Sequence, residues 1–263
     1  MDSVLTKLFD VSKGSIGGNG MRIPFIRTVL LGIALTAFPT FASAADAPRK
    51  EQVDLLLVLA ADVSESVNET KFRLQRDGYA AALVDPRVLR AARSGPYRRI
   101  AVAYVEWAGL TQQKTVIDWT IIDGLDAARR FSMKLLKEPR PFQGYTAIGD
   151  AVEFSLRLMM SSPYEAERKT IDISGDGTNN KGSEVNTARD VAVLAGVVVN
   201  GLVILSAVPH PAYPEHTHPK GGLEEYYRRN VIGGPGSFVG AADDYKSFGT
   251  AILRKMIAEI AMR

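Results

Sequence analysis

Three places in this chain carry oxygen donors that a fold could bring to one point. The first is Asp62-Val63-Ser64-Glu65-Ser66, with a carboxylate and two hydroxyls at alternate positions. The second is Thr146, in the glycine-containing loop Gly144-Tyr145-Thr146, and the third is Asp176, set between Gly175 and Gly177. Carboxylates and hydroxyls are hard ligands, and a hard cation such as Mg²⁺ takes oxygen. Read one at a time, Ser64 and Ser66 could simply cap a helix and Asp176 simply shape a turn. A softer donor set is also present. His210, His216 and His218 share one proline-rich loop with Glu215, a pattern that suits a transition metal and is equally common on plain surfaces.

Other chemistries are excluded or poorly served. The chain has no cysteine, so disulfides, thiolate metal sites and cysteine nucleophiles are absent. There is no Gly-x-Ser-x-Gly elbow, no glycine-rich phosphate loop with lysine and no His-Glu-x-x-His. A metal-assisted hydrolase would need a general base beside its ion, and Glu65, Glu106 and Asp150 are the carboxylates available for that role. Trp107, next to Glu106, is expected in the core or lining the site. Asp150, four residues after Thr146, is expected as a support to the donors or as plain surface. Asp172, inside an apolar run, calls for a buried partner or a sheet edge.

The elements that must position these donors follow from periodicity. Residues 53–61 form a near-continuous apolar run, which suits a strand buried on both faces, and the Asp-x-Ser-x-Ser cluster falls where that strand ends. Ligands of open α/β sheets bind just outside the carboxyl ends of strands. Further strands are predicted over 99–107, 114–120, 168–174, 200–205 and 236–241. Helices are predicted over 67–84, 123–137, 147–160, 183–195, 223–231 and 243–262, with Asp243 and Asp244 at the positive end of the last. The short link between the second and third strands predicts an antiparallel pair, and the third strand's partial polarity an edge. Strands otherwise alternate with helices. The expected fold is therefore α/β, a three-layer doubly wound and mostly parallel sheet with one antiparallel edge strand and helices on both faces.

With that order of elements, the sequence resembles the von Willebrand factor type A family over roughly residues 52–262. The match rests on Asp62-Val63-Ser64-Glu65-Ser66, Thr146 and Asp176-Gly177, the pattern of the metal-ion-dependent adhesion site. The resemblance implies that Ser64, Ser66 and Thr146 bind a divalent cation directly, while Asp62 and Asp176 act directly or through water. The ion implied is Mg²⁺, with Mn²⁺ or Ca²⁺ as alternatives. Neutral hydroxyls leave such an ion under-neutralised with an open position, which an Asp or Glu of a protein partner would fill. The family often has Thr-Asp-Gly where this chain has Ser174-Gly175-Asp176-Gly177, so Gly175 is expected to alter how Asp176 approaches the ion.

Length and charge complete the picture. The 263 residues are 46% hydrophobic and 23% charged, enough for one globular domain with a sizeable core plus a leader. Of the 32 basic and 29 acidic residues, four and two lie in residues 1–44. The remainder is thus one charge from neutral, and no nucleic-acid partner is expected. Arg22 and Arg27, an apolar run over 28–38 and Ala42-Ser43-Ala44 have the layout of a secretory signal peptide. The apolar run is too short for an ordinary membrane span. Translation is expected to start at Met21. The expected organisation is an extension over 1–20, a signal peptide over 21–44, a linker over 45–51 and a single domain over 52–263. The protein is expected in the periplasm or secreted, acting as a cation-dependent binding module, with a metal-assisted hydrolase of the cell envelope as the alternative.

Overall fold

In chain order the elements are β1 (Glu51–Gln52), β2 (Leu56–Asp62), α1 (Glu69–Val84), α2 (Pro86–Ala92), β3 (Ile100–Trp107), β4 (Gln113–Ile122), α3 (Leu125–Lys137) and α4 (Ile148–Met160). They continue with β5 (Tyr164–Glu165), β6 (Lys169–Gly175), α5 (Val185–Leu194), β7 (Val198–Ile204), α6 (Pro214–Thr217), α7 (Leu223–Asn230), β8 (Val239–Ala242) and α8 (Phe248–Ala261). The computed structural model describes residues 49–262, all within the unit Ala47–Arg263. The expected extension and signal peptide, and the start of the linker, lie outside the described residues. Among the described residues no helix is long and apolar enough to cross a membrane.

Six strands form one sheet in the order β4-β3-β2-β6-β7-β8. Every pair is parallel except β3 with β4, which is the antiparallel edge expected from their short connection. β2 lies inside the sheet between β3 and β6, and all seven of its residues are buried. Its side chains alternate between two cores, as a pleated strand requires. Leu57, Leu59 and Ala61 face the core built with α1, α2, α3 and α8. Leu56, Val58 and Ala60 face the core built with α4, α5 and α7. The result is the three-layer, doubly wound α/β arrangement.

Several element ends differ from the pattern read in the sequence. α1 starts at Glu69 because Asn68 caps it, its Oδ1 accepting from Lys71 N at 3.0 Å. Pro86 opens a second short helix, α2, straight after α1, in a first-turn position where its missing N–H costs nothing; Asp85 caps that helix through Arg87 N at 2.8 Å. α8 begins at Phe248, not at Asp243. Asp244 forms a local turn with Ser247, accepting from its N–H at 2.8 Å, so the two aspartates do not occupy the first helical turn. Glu51, the last residue of the expected linker, and Gln52 pair in parallel with Tyr164 and Glu165 as a small ribbon.

Asp172 finds its partner inside the molecule. Lys255 of α8 lies 2.5 Å from Asp172 Oδ1 and also bonds Glu259, which accepts from Asn200 Nδ2 at 2.9 Å. All four side chains are buried, and they pin α8 to β6 and β7. Two acids share one lysine here. Burial, and then the neighbouring Asp172 charge, push the Glu259 carboxyl up to about 7. Between about 4.5 and 7 the folded protein therefore holds a proton that the unfolded chain has released, and stability falls as pH rises through that window. Glu259→Gln mimics the protonated acid. In chelator, the fall in unfolding free energy from pH 5 to pH 8 is expected to shrink on the order of 2 kcal/mol relative to wild type; parallel pH profiles from urea titrations would contradict this.

Candidate metal centre

The donor loops gather at the carboxyl end of the sheet, where β2 ends at Asp62 and β6 at Gly175. The loop after β2 is held from three sides. Val63 N donates to Trp107 O (2.8 Å) and Glu65 N to Gly144 O (2.8 Å). Gln75 Nε2 donates to Asp62 O (3.0 Å), and Arg140 Nη2 to the carbonyls of Val63 (2.6 Å) and Ser64 (3.0 Å). This fixes the Asp-x-Ser-x-Ser backbone as a rigid cradle.

Within the cradle, Asp62 Oδ1 accepts from Ser64 N at 2.7 Å, while Asp62 Oδ2 is buried without a hydrogen-bond partner. Ser64 Oγ and Ser66 Oγ are 3.1 Å apart, and Ser66 Oγ donates to Asp176 Oδ1 at 2.6 Å. The other Asp176 oxygen accepts from Tyr245 OH (3.1 Å) and Lys71 Nζ (3.4 Å). Four of the five expected donors thus form one hydrogen-bonded chain. Thr146 stands outside that chain and is tied by its backbone to the β6–α5 loop: its N–H donates to Asn180 Oδ1 and its carbonyl accepts from Asn180 N, both at 2.9 Å.

The hydroxyls and the carboxylates play different geometric parts. Ser64, Ser66 and Thr146 line an open cleft of about 1210 Å³, together with Tyr145, Tyr213 and His216. Asp62 and Asp176 do not line it; they are 0% and 3% exposed, and Asp176 borders a separate, smaller cleft with Lys71 and Tyr245. Burial, reinforced by the nearby Asp176 charge, pushes the Asp62 carboxyl up to about 8. An unpartnered buried oxygen beside a second carboxylate is a place where a cation offsets both desolvation and repulsion. Among the described residues no three His, Asp or Glu side chains are grouped to hold a metal. A cation here would depend on hydroxyl oxygens, which fits a hard divalent ion.

The departure at Gly175 has a steric reason. A Cβ there would lie 2.6 Å from Tyr227 OH and 3.1 Å from Asp62 Oδ2. Glycine lets α7's Tyr227 and the Asp62 carboxylate close over the end of β6. Gly177, on the far side of Asp176, makes room for His216: a Cβ would lie 2.2 Å from its Nε2. The imidazole stands 3.4 Å from Thr146 Oγ1 through Nε2 and 3.3 Å from Thr178 Oγ1 through Nδ1, and burial holds it below its ordinary pKa.

Other residues singled out in the sequence fall into place. Glu106 is fully buried and paired with Arg76 at 2.8 and 2.9 Å, so both its oxygens are committed, and Trp107 is core. Asp150 accepts from Ser183 N at 2.7 Å, bracing the loop that carries Asn179 and Asn180. Glu65 lines the cleft. The three histidines and Glu215 form no group of three that could hold a metal: His210 stacks on Tyr213 and meets the His216 ring edge-on at 6.4 Å, and His218 Nδ1 lies 3.0 Å from Thr217 Oγ1. Asn179 and Asn180 were missed by sequence reasoning. Asn179 Oδ1 accepts from Ile148 N at 2.7 Å and so caps α4, whose own N-cap residue Ala147 supplies no side-chain bond. A pair of asparagines after a glycine-rich strand end, facing a helix with no cap of its own, was the available signal.

One family, described as protein of unknown function (DUF1194), matches residues 52–263. The chain belongs to this family. No curated protein matches it. Among solved structures this DUF1194 chain is similar to proximal thread matrix protein 1 from the mussel byssus, with TM-score 0.59 and 13% identity over 81% of this chain and 50% of that one. It is also similar to the pilus adhesin SpaC from Lactobacillus rhamnosus GG, with TM-score 0.58 and 15% identity over 81% of this chain and 31% of that one. A third is a von Willebrand factor type A protein from Catenulispora acidiphila, with TM-score 0.50 and 16% identity over 80% and 43% of the two chains. The DUF1194 chain thus has a von Willebrand factor A-like fold and spans half or less of the length of these structures.

Replacing Gly175 is expected to disturb the seat of Asp62. Gly175→Ala should lose roughly 1–3 kcal/mol of stability through overpacking. Adding Tyr227→Phe, which removes a hydroxyl that has no partner, should recover part of the loss. Chemical denaturation of the single and double variants checks this, and strictly additive losses would contradict it.

Proposed function

We propose that this protein is an exported, divalent-cation-dependent binding module that captures an acidic group of a protein partner. In this reading Ser64, Ser66 and Thr146 hold the ion, and Asp62 and Asp176 partly offset its charge, directly or through water. The carrying observation is the hydroxyl-lined cleft beside two buried carboxylates, one of them with an unpartnered oxygen. A cation bound mostly by neutral oxygens keeps a net positive charge toward the cleft, which attracts a carboxylate from outside. Tyr145 and Tyr213, exposed at 61% and 70%, stand on the rim as the large amphipathic side chains that protein interfaces favour.

The similar structures give support. They include a pilus adhesin, a minor pilin from Streptococcus sanguinis (TM-score 0.53, 13% identity, 82% of this chain and 63% of that one), and a form of the mussel byssus protein with a zinc-occupied MIDAS motif. The signal-peptide layout of residues 21–44 supports action in the periplasm or outside the cell. Binding is favoured over hydrolysis because Glu106 gives both oxygens to Arg76 and Asp150, bonded to Ser183 N, does not line the cleft. Of the three base candidates, that leaves only Glu65 at the cleft.

Mg²⁺ at about one hundred times its Kd is expected to raise the melting temperature of the chelator-stripped protein by roughly 5–10 °C. Asp62→Ala and Thr146→Ala should each abolish the shift. Identical calorimetric melts of the wild type with Mg²⁺ and with chelator would overturn the reading.

A further inference from the structure

We propose that His216 is an additional side-chain donor to this cation through Nε2, and that it moves the site's preference from Mg²⁺ toward a borderline transition metal such as Zn²⁺. The inference rests on the cation site proposed above and concerns one residue outside its five-residue pattern. Donors that share an ion at 2.0–2.1 Å lie roughly 3.0–3.4 Å apart, from octahedral to tetrahedral geometry. Ser64 Oγ and Ser66 Oγ are 3.1 Å apart, and Thr146 Oγ1 and His216 Nε2 are 3.4 Å apart. The imidazole edge therefore stands beside Thr146 Oγ1 at the spacing expected of two neighbours in one coordination shell.

The ring is also held as a metal-binding histidine is held. Such residues usually donate their second ring N–H to an oxygen, which fixes the tautomer and aims the other nitrogen at the ion. Thr178 Oγ1 lies 3.3 Å from Nδ1 and can accept that proton, leaving the Nε2 lone pair facing Thr146. The backbone fixes the same arrangement, because Thr178 N donates to His216 O at 2.9 Å and the short helix α6 carries the residue. Gly177 leaves the space the ring fills. Of the three histidines in this loop, only His216 is so placed: His210 Nδ1 accepts from Tyr213 N at 3.1 Å and His218 turns to Thr217. Imidazole nitrogen suits Zn²⁺, Ni²⁺ and Cu²⁺, whereas Mg²⁺ is served by oxygen alone.

The test titrates Mg²⁺ and Zn²⁺ calorimetrically into chelator-stripped wild type, His216→Ala, His210→Ala/His218→Ala and Asp62→Ala, and records the zinc K-edge absorption spectrum of each at one equivalent. The wild type should show imidazole scattering, retained in the His210/His218 variant and lost in His216→Ala. Zinc affinity should fall roughly 10- to 100-fold in His216→Ala while Mg²⁺ affinity moves less than about 3-fold. An equal loss for both ions, an unchanged zinc affinity or an imidazole signal that follows His210 and His218 overturns the role of His216 while leaving the cation site intact. Failure of the wild type to bind either ion, or binding that Asp62→Ala leaves unchanged, overturns the cation site as well.

Discussion

The end of β2 must accommodate a carboxylate that is entirely shielded from water. Asp62 satisfies one oxygen with the Ser64 N–H and leaves the other without a hydrogen-bond partner, beside a second buried acid. A charge in such a place is expensive unless something positive or proton-donating comes to it. Much of the surrounding structure answers that constraint. Arg140 and Gln75 fix the loop's carbonyls, Lys71 and Tyr245 engage Asp176 from the side, and Ser66 bridges the two loops. Tyr245 is free to do so because Asp244 and Ser247 turn the chain before α8 begins.

The remaining oxygens divide by depth. Hydroxyls line the cleft, while the two carboxylates are buried and bonded to the serines that line it. A cation held by those hydroxyls would be partly balanced by the carboxylates and exposed toward the cleft, which is the electrostatic condition for recruiting an external anion. A hydrolytic site would need a base with a free oxygen near the ion, and of the three candidates Glu65 lines the cleft. Glu106 has given both oxygens to Arg76.

Much of this was legible in the sequence because the strongest physical signals are local. The unbroken apolar run at residues 56–61 required a strand covered on both faces, and Asp62, Ser64 and Ser66 had to follow at its end. The short β3–β4 connection could only make an antiparallel pair. What stayed hidden depends on contacts between residues distant in the chain. Asn179 caps a helix that starts 31 residues earlier, and His216 reaches Thr146 across 70 positions. Neither has a periodicity to betray it. Asp172 looked out of place for the same reason, since Lys255 arrives from the last helix. The start of α8 was misjudged because Asp243-Asp244 reads as a helix N-terminus, while Asp244 bonds locally with Ser247.

The central claim is that a divalent cation is seated among Ser64, Ser66 and Thr146. It is tested most directly by an anomalous difference map from a crystal of the protein soaked in Mn²⁺, an ion that oxygen donors accept and that scatters anomalously. The account predicts one strong peak within bonding distance of all three hydroxyl oxygens, beside the Asp62 and Asp176 carboxylates. A map with no peak there, or with its only peak elsewhere on the protein, would contradict it.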